Sequence, residues 1–279
     1  MSGQSIGKLN WLERTLPDGL LVDAAWMERH GYSTSLRSQY VAAGWLVQPV
    51  RGTYKRPIGK LTWERAIISL QALMKHPLIV GGRTALELQG LGHYVSASGP
   101  GSIHLYGDEP PPGWLAKLPF KERFIFHKAQ TLFSATTAAE GPLSLAGGDD
   151  GDDHERTGYH VRPLSMNAQW PLLVSTPERA FLELLDELPK RETFHNVDVI
   201  AEGLRTLSPT RLQRLLEDCR SVKAKRLFFW FAERHAHRWL NRIDRDRVSL
   251  GSGKRMLVKG GRLDPKYLIT VPEDLGAPV

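Results

Sequence analysis

Cysteine is almost missing from this 279-residue chain, where Cys219 stands alone. One thiol cannot close an internal disulfide, and no cysteine set is present to hold zinc. Long apolar runs are missing too. The longest unbroken one, Leu227 to Ala232, falls far short of the ~18 residues that would cross a membrane as a helix, so no membrane partner is expected. The first ten residues are polar and carry no apolar centre of the kind a secretory leader needs, which points to the cytoplasm. What remains is an ordinary soluble composition, 41% hydrophobic and 24% charged.

The charge is not ordinary. A formal net charge of +7 and a sequence pI near 9.5 arise from two basic ends. Residues 1–60 hold eight Lys and Arg against four acids, and residues 201–263 hold sixteen against six. Between them, Asp149 to Glu155 carries five acids in seven positions. Clustered cations attract phosphates and release their counterions, so the balance suits a polyanionic partner.

Hydrophobic spacing predicts the organisation. Ile6, Leu9, Leu12 and Leu16 lie on one helical stripe that stops at Pro17-Asp18-Gly19. Asp23 can cap a helix through Met27, and Ser33 caps a second from Thr34 to Ala43. A strand over 45–50, a turn at Arg51-Gly52 and a returning strand over 53–56 follow. Three short helices and a hairpin form the plan of a winged helix-turn-helix. A bracing helix is expected over 62–75, then strands near 78–80, 102–106 and 123–127 around a short helix at 84–89. The stretch 134–158 lacks periodicity and reads as a flexible acidic insert. Four helices should follow, starting at Thr176-Pro177, Asn196, Ser208-Pro209 and Val222, the last running to Asn241. A hairpin pairing 254–259 with 266–271 across Gly260-Gly261 closes the chain. The expected class is α+β: a DNA-binding winged helix over 1–58, then a larger mixed α/β domain over 59–279 that ends in a helical bundle and a hairpin.

In a helix-turn-helix the second helix of the pair enters the major groove. Here Thr34, Ser35, Arg37, Ser38 and Gln39 are expected on its open face. Arg suits guanine, Gln suits adenine, and no carboxylate is present there to repel phosphate. Arg51, Lys55, Arg56 and Lys60 would supply the wing's phosphate contacts. A second candidate surface is the basic helix after Val222, where Lys223, Arg226, Arg234 and Arg238 surround Trp230. Stacking beside arginines suits nucleic acid, although a solvated face or a protein contact explains the same pattern.

At the level of motifs the chain resembles the AbiEi-type antitoxins. The resemblance rests on Gly44-Trp45-Leu46 with Arg51-Gly52-Thr53-Tyr54, the run from Val80 to Leu91, and His104 to Glu109. It continues through Ser175 to Ala180, Glu217 to Lys223 and Gly253 to Lys259. It implies the antitoxin of a bacterial type IV toxin–antitoxin system linked to abortive phage infection. Such a protein represses its own promoter at inverted repeats and counters a nucleotidyltransferase-type toxin without needing a stable complex with it. A stand-alone winged-helix regulator with a ligand-sensing C-terminal domain is the alternative.

Signals of catalysis are weak. Gly251 to Lys254 lacks the upstream glycine and the Ser/Thr of a phosphate loop. His235 and His237 are two apart on a helix, which separates their faces. The acidic run lacks calcium-loop spacing. His93, His104 and His127 show no carboxylate partner in sequence. No enzyme activity, metal or cofactor is expected.

Overall fold

The structure, a computed structural model, describes residues 2–92, 101–134, 160–165 and 170–275. The acidic insert expected over 134–158 lies outside these residues except for Ser134, as does His93. The first layer is built from α1 (Ser2–Thr15), β1 (Leu21–Asp23), α2 (Ala24–Arg29), α3 (Thr34–Ala42) and β2 (Thr53–Lys55). Each helix start follows from a local hydrogen bond. The Asp23 carboxylate accepts from Trp26 N at 2.8 Å, and Ser33 Oγ accepts from Leu36 N at 3.3 Å. Gly31, with φ at +81°, makes the sharp reversal between α2 and α3.

The wing is shorter than expected. Strand β2 pairs antiparallel with β1, joining Leu21 to Lys55 and Asp23 to Thr53. The strand expected over 45–50 reduces to one bridge, Val47 to Lys55, on the other edge of β2. Pro49 has no N–H to donate to a longer ladder.

The body is a mixed five-stranded sheet in the order β5-β4-β3-β7-β6. Its strands are β3 (Leu78–Val80), β4 (Ser102–Gly107), β5 (Arg123–Lys128), β6 (Val161–Leu164) and β7 (Leu172–Ser175). Strands β4 and β5 run parallel, as do β3 and β7, while β3–β4 and β6–β7 are antiparallel. Helices α5 (Gly82–Leu88) and α6 (Pro177–Asp186) follow β3 and β7 and pack on each other. Helices α7 (Phe194–Gly203), α8 (Pro209–Asp218) and α9 (Val222–Arg234) complete the helical part. The basic helix expected to reach Asn241 ends at Arg234. His235 closes it, and a separate 3-10 segment covers Arg238–Arg242. The terminal hairpin also differs: β8 (Arg262–Asp264) pairs with β9 (Ile269–Val271), so the reversal falls after Asp264 and not at Gly260-Gly261.

Head and body share one hydrophobic core, from Leu9 through Val80 to Leu275. The join is α4 (Trp63–Ile68), which runs into a π-helical turn, Ser69–Leu73. On the head side Leu21 N donates to Ser69 Oγ at 3.0 Å and Trp26 Nε1 donates to Leu73 O at 3.1 Å. On the body side the buried Gln71 amide donates to Leu78 O and Leu173 O and accepts from Leu173 N at 3.0 Å. Strands β3 and β7 register only at Val80 and Val174. The Gln71 side chain therefore satisfies backbone groups that the short ladder leaves open. Cys219 is buried, and burial pushes its thiol up to about 11, which leaves it inert at neutral pH.

Candidate nucleic-acid interface

Helix α3 offers a polar, acid-free surface. Thr34, Ser35, Ser38 and Gln39 are exposed, followed by Ala42, Ala43 and Trp45. Small side chains at Ser35, Ser38, Ala42 and Ala43 let a helix approach a groove floor closely. Ser38 Oγ donates to Thr34 O at 3.0 Å. Trp45, 47% exposed, stacks on Tyr40 with ring centroids 6.1 Å apart. It extends this surface past the end of α3, and sequence places it in a family motif but not among the expected DNA contacts. Its exposure beside α3 is a signal visible only in three dimensions.

Arg37 is not on the open face. It is 5% exposed, with NH1 donating to Ala24 O and NH2 to Thr34 Oγ1, both at 2.8 Å. Its guanidinium lies 5.7 Å from the Tyr54 ring centroid. The reason is helical spacing. Position 37 lies on the Arg37–Tyr40–Val41 stripe that packs against α2 and the wing, and a long stem can fill such a place.

The wing cations also divide. Arg51 at the hairpin tip and Lys60 beyond it are exposed. Lys55 is buried, and its ammonium donates to the backbone oxygens of Arg56 and Ile58. Burial lowers its pKa, with Arg65 adding to the effect and Asp18 opposing it. Arg56 pairs with Asp18 at 2.9 Å. Lys55 thus staples the wing, and Arg56 is partly neutralised.

The basic stripe expected on α9 is mostly internal. Arg226 is 2% exposed and donates to Leu250 O at 2.8 Å and Gly253 O at 2.7 Å. Lys223 Nζ caps the carbonyls of Asp186 and Leu188. Trp230 is buried against Phe194 and Phe231. Arg234 Nε donates to Asp198 at 2.9 Å. Of the five, only Arg238 is exposed. The expectation of a free basic face around Trp230 fails because α9 is the central helix of the bundle and its arginines serve backbone oxygens. Replacing Arg226 by Met should strand those carbonyls. A loss of roughly 2–3 kcal/mol with faster amide exchange over 250–271 is expected, read by hydrogen-exchange mass spectrometry.

One cluster runs against the sequence reading. His127 does have a carboxylate partner, and His104 is linked to it through His127. His104 Nδ1 lies 3.0 Å from His127 Nε2, and His127 Nδ1 lies 3.2 Å from Glu187 Oε1. Burial and the adjacent His127 hold the His104 imidazole at about 4. Burial alone would raise Glu187, yet hydrogen bonds from His127 and Arg191 hold it at about 2. Sequence missed the contact because Glu187 sits at the C-terminal end of α6, far along the chain from both strands.

Comparison with known proteins settles the family. The model described as "Transcriptional regulator, AbiEi antitoxin N-terminal domain" matches residues 5–97. The model described as "Transcriptional regulator, AbiEi antitoxin, Type IV TA system" matches residues 101–272. The chain belongs to the AbiEi antitoxin family. It is therefore a transcriptional regulator of the type IV toxin–antitoxin class, and its N-terminal layer is the family's winged helix. Among solved structures, the RV2827C protein from Mycobacterium tuberculosis has a similar fold. The TM-score is 0.52 at 18% identity, over 94% of this chain and 89% of that one. No curated protein matches by sequence. No helix among the described residues is long and apolar enough to cross a membrane.

Proposed function

We propose that this AbiEi regulator binds double-stranded promoter DNA at inverted repeats and represses its own operon in the bacterial cytoplasm. Residues 1–58 act as the reading unit and 59–279 as the antitoxin part, which counters a nucleotidyltransferase-type toxin. Ser35, Ser38 and Gln39 read base edges, Thr34 reaches sugar or phosphate, and Arg51 and Lys60 hold the backbone. Arg37, Lys55 and Arg56 support this surface from behind. The observation that carries the reading is the exposed, acid-free face of α3 beside the free Arg51 tip. A helix of that character meets the donor and acceptor pattern of the major groove without electrostatic penalty. A non-enzymatic role fits the family's description as a transcriptional regulator and antitoxin.

The test is a titration of the full chain against a duplex carrying its own upstream region and against a scrambled duplex. Preference for the upstream duplex by at least a thousandfold is expected for a specific regulator, on the order of typical specificity ratios. Equal affinity for both would overturn the repressor reading. Co-expression with the toxin encoded beside it should restore growth, and unrelieved toxicity would overturn the antitoxin part.

A further inference from the structure

The histidine–carboxylate cluster stands outside the proposed reading unit, residues 1–58. It lies in the body, across β4, β5 and the end of α6. His104, His127 and Glu187 each offer a ligand atom, and these atoms all lie within 4.8 Å of one another. All three side chains are about 90% or more buried, at 5% exposure for His104, 10% for His127 and 7% for Glu187.

We propose that His104, His127 and Glu187 form a zinc-type divalent metal site that ties β4 and β5 to α6. Two imidazoles and one carboxylate are a donor set that Zn(II) accepts, with a fourth position left for water. Bonds of about 2.0–2.2 Å place tetrahedral ligand atoms roughly 3.4 Å apart. The two short contacts use opposite nitrogens of His127, Nε2 toward His104 at 3.0 Å and Nδ1 toward Glu187 at 3.2 Å, so one pair is already close to that spacing and the third residue must move in. The other separations, within 4.8 Å, must close by up to roughly 1.4 Å, which the Glu187 side chain can supply by turning about its own bonds.

The surroundings are those of a held site. Arg191 donates to Glu187 Oε2 at 3.0 Å, leaving Oε1 for the cluster. Tyr106 stacks on His127 at 4.5 Å between centroids and fixes its ring plane. Such supporting groups around ligands orient them and tune affinity. The nearby guanidinium groups are themselves paired, Arg83 with Glu192 and Glu87 and Arg191 with Glu187, so each is offset by a carboxylate.

Full-length protein stripped with a chelator and titrated with Zn2+ and Co2+ tests this. One equivalent of metal by elemental analysis, with a tetrahedral Co2+ absorption band, is expected. His104→Ala and Glu187→Gln should each reduce bound metal at least tenfold. His195→Ala, at an exposed histidine paired with Asp274, should leave it unchanged. Arg191→Met should weaken binding by roughly ten- to a hundredfold, the usual effect of losing a supporting group.

Should the ligand variants fail to fold, the wild-type protein still decides. Zn2+ should shield His104 and His127 from diethyl pyrocarbonate, read by peptide mass mapping, and should raise Tm. No bound equivalent, undiminished binding in both ligand variants, or no protection of these two histidines would overturn the site. In that case they form only a hydrogen-bonded chain.

Discussion

Replacing Ser38 and Gln39 together by glutamate is expected to reduce affinity for the promoter duplex by more than a hundredfold. Both side chains are exposed on α3, so two carboxylates there would enter the phosphate field of the groove without disturbing the core. A lost bidentate contact alone costs about 1–3 kcal/mol, and repulsion adds to it. Gln39→Ala removes only the contact and should relax preference at one base position. Arg51→Ala should weaken all sequences alike and lower the slope of log K against log salt by about one. Arg37→Ala behaves differently. Its guanidinium satisfies Ala24 O and Thr34 Oγ1, so the loss appears in Tm while the ratio of specific to scrambled binding stays unchanged. Retained promoter affinity in the Ser38, Gln39 double variant would place the reading surface elsewhere.

The largest stability effect is expected at Glu183. This carboxylate is fully buried and accepts from Gly82 N at 2.8 Å, Ser175 Oγ at 3.1 Å and Arg179 Nε at 2.8 Å. It fastens the start of α5 to α6 at the point where both helices leave adjacent parallel strands. Glu183→Ala would leave the Arg179 cation buried beside an orphaned amide. Breaking a buried pair in this way costs about 3–5 kcal/mol. For a chain of this size that corresponds to a fall in Tm of roughly 10 °C, measured by calorimetry. Glu183→Gln keeps the volume and two acceptor contacts and should lose less. A variant melting with the parent would show that the carboxylate is not what joins the two helices.

Local chemistry accounts for what sequence could reveal. The caps at Asp23, Ser33 and Ser208, the Gly31 reversal and the stripe through α6 all follow from neighbouring residues. Strands near 78–80, 102–106 and 123–127 were legible from local apolar patterning and stand at 78–80, 102–107 and 123–128. What escaped was the fate of long cationic side chains. Arg37, Lys55 and Arg226 look like surface charges in one dimension, yet each caps backbone oxygens inside the fold. Thr176 marks the helix start as expected, but its hydroxyl makes no capping hydrogen bond. The meeting of His104, His127 and Glu187 depends on strand register and on where α6 ends. Neither has a local signature.

The π turn at Ser69–Leu73 is gripped by the head on one side and by the sheet on the other, so no slack hinge separates them. Two such chains on one duplex would behave like a calliper whose jaw opening is set where the bodies meet. The phasing of paired half-sites would then be dictated far from any base, by whatever governs contact between the bodies.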